Sequence, residues 1–410
     1  MDISTIEAYA LSSPISPPQE RSFHAGARRL LKRDMVLIVI ETKTGARGVA
    51  PAGASSSAML EYFEGETQAT LAEVVNGPVA DTLERTSVEH PSEAHRILEK
   101  TELPERLRIK AASAVDIALY DLLGKERGAP VYELLNHDPP AVQTELPLYA
   151  SAGMYMQPEE YVRQAEMLET NGFFGYKYRP GIGPSDDKET MAALGEAVDM
   201  ELMVDAHTWW KMDGHSYDRE TVISLVEHAG DGGVYWVEEP VSPEDYRGYV
   251  DLNRYAPTAG GESEESTEGL RSLAQTGGVD FLQGDVRHHS GFTGCLSVAE
   301  HCKGTSVEFV PHNFGTWLGL VANAHLVAAA PETELLEYPV FQEDPTIEAA
   351  VDPGMYPFDL AFEIIEGMPN IADGRLTVPD DPGLGVDVNF EVIDEYPFID
   401  GPWTEFHYNK

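Results

Sequence analysis

From about residue 145 the apolar positions fall into short runs separated by segments long enough for a helix. The runs are 147–151 (PLYAS), 174–179 (FGYKYR), 202–207 (LMVDAH), 234–239 (VYWVEE), 258–262 (TAGGE), 281–285 (FLQGD), 307–312 (VEFVPH) and 333–338 (TELLEY). Each reads as a strand, and intervening stretches such as 158–170 and 293–302 carry helical spacing. Eight such repeats predict parallel βα units closing into a barrel, an α/β fold. Ahead of them, residues 35–43 alternate like sheet, turn at Thr44-Gly45 and return through Arg47 to Ala50. Helical spacing follows over 58–76, 92–100 and 105–124, so the front of the chain predicts an α+β unit. Beyond 345 the chain turns Pro- and Asp-rich, as irregular loops do. The expected division is 1–140, 141–345 and 346–410, with the last segment packing back on the first.

Charge narrows the function. Against 28 Lys+Arg stand 70 Asp+Glu, a formal net charge of −42 over 410 residues. That density repels phosphate backbones and anionic membranes, which excludes nucleic-acid binding and membrane association. With 42% hydrophobic residues the chain can still bury a core. Acid spread through the whole sequence suits concentrated salt, where screening removes self-repulsion, so a cytoplasmic protein of a high-salt organism is expected. Cys295 and Cys302 read as small buried residues and not as a disulfide. No basic region followed by an apolar stretch opens the chain, and no run approaches a membrane span. Gly181-Ile-Gly183 is too short for a dinucleotide fingerprint, so no nicotinamide or nucleotide cofactor is expected.

The candidate chemistry lies at the C-terminal tips of the predicted strands: Lys177 and Arg179, Asp205 and His207, Glu238 and Glu239, Glu262, Asp285, His312, Glu337. In a barrel of parallel βα units those tips converge on one face. Three carboxylates from adjacent strands, with no cysteine among them, suit Mg²⁺ with open positions for substrate oxygens. The expected ligands are Asp205, Glu238 and Glu262.

Ser113-Ala-Val-Asp-Ile-Ala-Leu-Tyr-Asp-Leu-Leu-Gly-Lys, Trp236-Val-Glu-Glu-Pro, Gly261-Glu and Pro311-His312 resemble the enolase superfamily in its mandelate racemase-like subgroup, over nearly the whole chain. The resemblance implies a capping α+β domain on a modified TIM barrel, (β/α)₇β, with Mg²⁺ binding a substrate carboxylate and stabilising an enediolate. It assigns Asp205, Glu238 and Glu262 to the metal, Asp285 and His312 to an Asp-His dyad, and Lys177 to the first lysine of a Lys-x-Lys pair. It also assigns Glu337 to a hydrogen bond with the substrate carboxylate; a protonated carboxyl there could donate to the charge that accumulates on the enediolate.

Two departures choose among the family's reactions. The second lysine of the pair is Arg179, and guanidinium is a poor proton acceptor, which disfavours two-base racemisation. Asp205-Ala-His207 puts an imidazole two residues past the first ligand, on the same side of an extended strand. That resembles the Asp-x-His of acid-sugar dehydratases, where the histidine protonates the departing hydroxyl. The expected reaction is dehydration of an aldonate such as gluconate, xylonate or galactonate to a 2-keto-3-deoxy acid, with His312 as base and His207 as acid. A racemase or epimerase, or a sugar-acid binding protein without activity, are the alternatives. Ser22 and His24, in a loop of the first unit, and Trp209 beside Trp210 are further candidates for substrate contact. His288 and His289 read as loop residues, and the partners expected are the small acid and further copies of the chain in a homo-oligomer.

Overall fold

The computed structural model describes residues 1–53, 68–135, 143–211, 216–330, 333–347 and 356–409. Positions 58–67 of the predicted helix 58–76, and the boundary expected at 140–141, lie outside them. Strands β1 (Ile3–Phe23), β2 (Gly26–Thr42) and β3 (Arg47–Ala52) form an antiparallel sheet, with the turn between β2 and β3 where Thr44-Gly45 predicts it. β1 has no counterpart in the predicted elements. Pro14, Pro17 and Pro18 break its alternation, and the β1–β2 register slips between Pro14 and Gln19.

The helix Glu105–Arg127 covers this sheet. Its Ala, Val and Leu positions are buried on nearly every side, because it lies between the sheet and the barrel. A Cβ on Gly48 would fall 2.1 Å from the Ala118 carbonyl oxygen, so glycine is what lets strand and helix backbones meet. The helix stops at Gly128, whose φ of 66° is the left-handed cap that L side chains resist. Inside it, Asp121 accepts from Val49 N at 2.9 Å and Leu384 N at 2.8 Å, tying sheet, helix and C-terminal tail together.

The barrel strands are β4 (Glu145–Met154), β5 (Gly175–Arg179), β6 (Glu201–Asp205), β7 (Trp236–Glu238), β8 (Thr258–Gly260), β9 (Phe281–Leu282), β10 (Glu308–Phe309) and β11 (Leu336–Pro339). Neighbours from β4 to β10 pair in parallel, and β11 returns to pair with β4. Helices Pro158–Thr170, Pro184–Ala197, Arg219–Asp231, Tyr246–Leu252, Thr267–Gln275, Gly291–Cys302 and Trp317–Ala329 follow the first seven strands. This is a (β/α)₇β barrel under an N-terminal cap. The tail divides between the two: β12 (Asn370–Ala372) and β13 (Arg375–Thr377) form a hairpin that adds to β4, whereas β14 (Thr404–Tyr408) adds to β2. Both cysteines are free and buried, and no helix of the described residues is long and apolar enough to cross a membrane.

Candidate active site

The parallel ladder aligns the chemistry. Asp205 pairs with Glu238 across β6 and β7, and Glu238 pairs with Ala259 of β8, three residues before Glu262. All three carboxylates therefore reach the same rim, and all are buried. Just after Glu238 the chain turns sharply: Glu239 has φ 38°, a left-handed conformation whose strain its surroundings must hold. They do so through Ser263, whose N and Oγ donate to the Glu239 carboxylate at 3.1 and 2.8 Å.

Cations and carboxylates interlock around this rim. Lys177 Nζ, 2% exposed, lies 2.8 and 2.9 Å from the two Glu238 oxygens and 2.8 Å from Glu337 Oε1. Arg179 donates twice to Asp205 Oδ2, at 2.9 and 2.5 Å. Burial works against charge on Asp205, but Arg179 and His207 hold its carboxyl well below the usual range. Glu238 goes the other way. Burial, which Lys177 offsets only in part, and the facing charges of Asp205, Glu262 and Glu337 push it up to about 7. A carboxylate so crowded by anions is short of positive charge even with the Lys177 ammonium against both its oxygens.

That shortage is what a divalent cation would relieve. Donor atoms of Asp205, His207 and Glu238 lie within 4.8 Å of one another, as do those of His207, Glu239 and Glu262. The two groups share His207, and the expected ligands divide between them, Asp205 and Glu238 in one and Glu262 in the other. Glu239 adds a carboxylate that the sequence reading left out of the metal site. Carboxylate oxygens without a thiolate fit Mg²⁺, with the shared imidazole the one nitrogen donor of each group.

The dyad is formed. His312 Nδ1 lies 2.9 Å from Asp285 Oδ2, and Nε2 lies 3.0 Å from Glu262 Oε2. Burial disfavours a proton on His312, but Glu262 and the Asp285 hydrogen bond outweigh it and raise the imidazole above its ordinary value. Burial likewise disfavours charge on Asp285, which Arg287 and His312 hold well below the usual carboxylate range. Arg287, two residues on, donates to Asp285 through Nη2 at 2.5 Å.

The other expected site residues stand in different surroundings. His207 is 2% exposed, its Nδ1 is 2.5 Å from Asp205 Oδ1, and its Nε2 is 2.8 Å from both Glu239 Oε2 and Glu262 Oε1. Both of its ring nitrogens face carboxylates, as both ring nitrogens of His312 do. Glu337 Oε2 accepts from Asn313 N at 2.8 Å and Oε1 faces the Lys177 ammonium at 2.8 Å. Ser22, His24 and Trp209 do not line the cavity above the rim. Ser22 is exposed on β1, His24 Nδ1 lies 3.0 Å from Gly181 O with its ring 4.2 Å from Tyr217, and Trp209 is fully buried in packing.

The cavity itself, of about 160 Å³, is lined by Lys177, Arg179, Asp205, Glu262, His312 and Glu337 from the barrel. The sequence reading missed Lys211, Arg287 and His288 on the barrel side, and Arg28, Arg33 and Trp403 on the cap side. Arg287 carried the same signal as His207, two positions past a strand-tip acid. The cap residues carried none, because only the tertiary fold brings β2 and the tail over the barrel. His289 is structural: its Nδ1 accepts from Asp285 N at 2.9 Å and its Nε2 lies 2.8 Å from Glu264 O.

Comparison with known proteins agrees with this architecture. The chain is 31% identical over 302 residues to D-galactarolactone cycloisomerase of Agrobacterium fabrum, covering 72% of this chain and 75% of the other. It is 30% identical over 298 residues to L-rhamnonate dehydratase of Saccharopolyspora erythraea, covering 71% and 70%. A racemase from Streptomyces coelicolor A3(2), solved with bound magnesium, superposes with a TM-score of 0.75 at 20% identity over 96% and 99% of the two chains. Residues 8–136 match the mandelate racemase / muconate lactonizing enzyme N-terminal domain, and residues 160–392 the enolase C-terminal domain-like family. With a cap and a barrel that both match, the chain belongs to the mandelate racemase / muconate lactonizing enzyme family of the enolase superfamily.

Proposed function

We propose that this chain dehydrates a polyhydroxy acid to a 2-keto-3-deoxy acid, using Mg²⁺. The observation that carries the proposal is the His312 imidazole, braced by Asp285 and lining a cavity whose rim gathers Lys177, Arg179 and three buried carboxylates. Relatives named as a sugar-acid dehydratase and a sugar-lactone cycloisomerase support an acid-sugar substrate.

A proton α to a carboxylate is weakly acidic, so its removal needs positive charge at the carboxylate and a base tuned near neutrality. Asp205, Glu238 and Glu262 would hold the cation, which supplies Lewis-acid polarisation of the substrate carboxylate when bound. Lys177 and Arg179 add fixed positive charge on the neighbouring strand. His312 Nε2 takes the C2 proton, with Asp285 fixing its tautomer through Nδ1. His312, protonated by that step, also returns the proton to the departing C3 hydroxyl, from the same face of the substrate. Water leaves, and the enol tautomerises to the keto acid.

Racemisation would need a second base opposite His312, and β5 offers there a guanidinium that stays protonated. The test is incubation of gluconate, xylonate and galactonate with Mg²⁺ at molar salt in D₂O. Dehydration yields 2-keto-3-deoxy acid. Recovered substrate carrying deuterium at an inverted C2 would instead support the racemase, and binding with no turnover of any acid would support a binding protein.

A further inference from the structure

The cap brings two guanidiniums to the cavity that the catalytic rim does not use. Arg28 is 5% exposed; its Nε donates to Thr404 Oγ1 at 3.1 Å, its Nη1 meets the Met154 sulfur at 3.3 Å, and its plane lies over Trp403 and Phe406 at 4.8 and 5.5 Å. Arg33 lies 4.5 Å over Trp403, with Tyr356, Phe314 and Phe358 at 5.5, 5.6 and 5.8 Å, and its Nε is buried without a hydrogen-bond partner. Among the described residues neither forms an ion pair with a carboxylate. The cap acid that shares the cavity wall, Asp34, is already bound to Lys32 at 3.0 Å and to Ser12 at 2.7 Å.

Two cations held in aromatic surroundings, close to a third in Arg179, are costly unless an anion joins them. The far end of an aldonate is a neutral CH₂OH and offers no compensation. A carboxylate there would, because a planar fork of N–H donors matches its two oxygens. Resting on the acid-sugar reading above, we propose that Arg28 and Arg33 form a subsite for a second, distal carboxylate, so that the substrate is a polyhydroxy dicarboxylic acid.

Matched pairs test this: galactarate against galactonate and glucarate against gluconate, with Mg²⁺ at constant salt. The diacid should exceed its monoacid in kcat/KM by at least about thirtyfold, as expected for a desolvated charge pair. Arg33→Met, which keeps the aromatic packing, should raise KM for the diacid at least about tenfold with kcat little changed, and Arg33→Lys should fall between. Calorimetry of galactarate binding to parent and Arg33→Met is the readout independent of turnover. Equal use of both acids, with a ratio that Arg33→Met does not move, overturns the subsite and leaves dehydration standing. Galactarate binding that Arg33→Met abolishes, without keto-acid from any substrate, supports the subsite and overturns dehydration. No binding of either acid overturns both.

Discussion

An imidazole works as a base when one nitrogen is fixed and the other can reach the substrate; at position 312 Asp285 does the fixing, and Nε2 must exchange its contact with Glu262 at 3.0 Å for the substrate. His312→Asn should lower kcat by about a hundred- to ten-thousand-fold and stop C2 hydrogen exchange, read by NMR in D₂O. Exchange at the parent rate would show that another group takes the proton. His207 has a different task in this account: it braces Asp205, Glu239 and Glu262. His207→Asn should weaken Mg²⁺ binding by calorimetry roughly ten- to a hundredfold while saturating Mg²⁺ restores dehydration. Variants that still exchange the C2 proton at saturating Mg²⁺ but form no keto acid would make His207 the acid after all. The strand-tip residues were legible in the sequence because each lies about one βα unit from the next. The direction in which His207 points was not, because it depends on which carboxylates the β6–β7–β8 register brings to its ring.

Elements carry the pH response. His325, on the helix Trp317–Ala329, is fully buried; its Nδ1 accepts from Tyr132 N at 3.3 Å and its Nε2 faces Leu384 O at 3.0 Å. Burial pushes it down to about 4 from an ordinary 6.5, so the folded protein keeps it neutral where the unfolded chain takes up a proton. Its contribution to stability is complete above pH 6.5 and is lost as the pH falls toward 4, by about 1.4 kcal/mol per pH unit. His325→Gln should flatten the urea-unfolding curve against pH by one proton in that window; parallel curves for variant and parent would contradict the assignment. Barrel strands and helices such as 158–170 were legible from period and spacing. β1 was not, since its prolines imitate a loop, and neither was the β12–β13 hairpin, whose short strands are fixed by pairing with β4.

At the scale of the whole molecule, a formal charge of −42 sets the conditions under which the site can work. The Debye length falls from about 10 Å at 0.1 M salt to about 3 Å at 1 M, so the folded state should gain stability across that range. Calorimetry in a KCl series should show Tm rising by several degrees, and a Tm independent of salt would contradict the reading of the acidic surface as an adaptation to concentrated salt. The cap-side guanidiniums belong to this scale too, because only the assembled cap, tail and barrel put them over the rim. The most direct single measurement is formation of 2-keto-3-deoxy acid from aldonic and aldaric acids at molar KCl, with Mg²⁺ and after its removal by EDTA, for the parent and for Asp205→Ala, Glu238→Ala and Glu262→Ala. The account predicts product from the parent with Mg²⁺ alone, none after EDTA and none from any of the three variants. Product at the parent rate without Mg²⁺, or from any one of those variants, would contradict it.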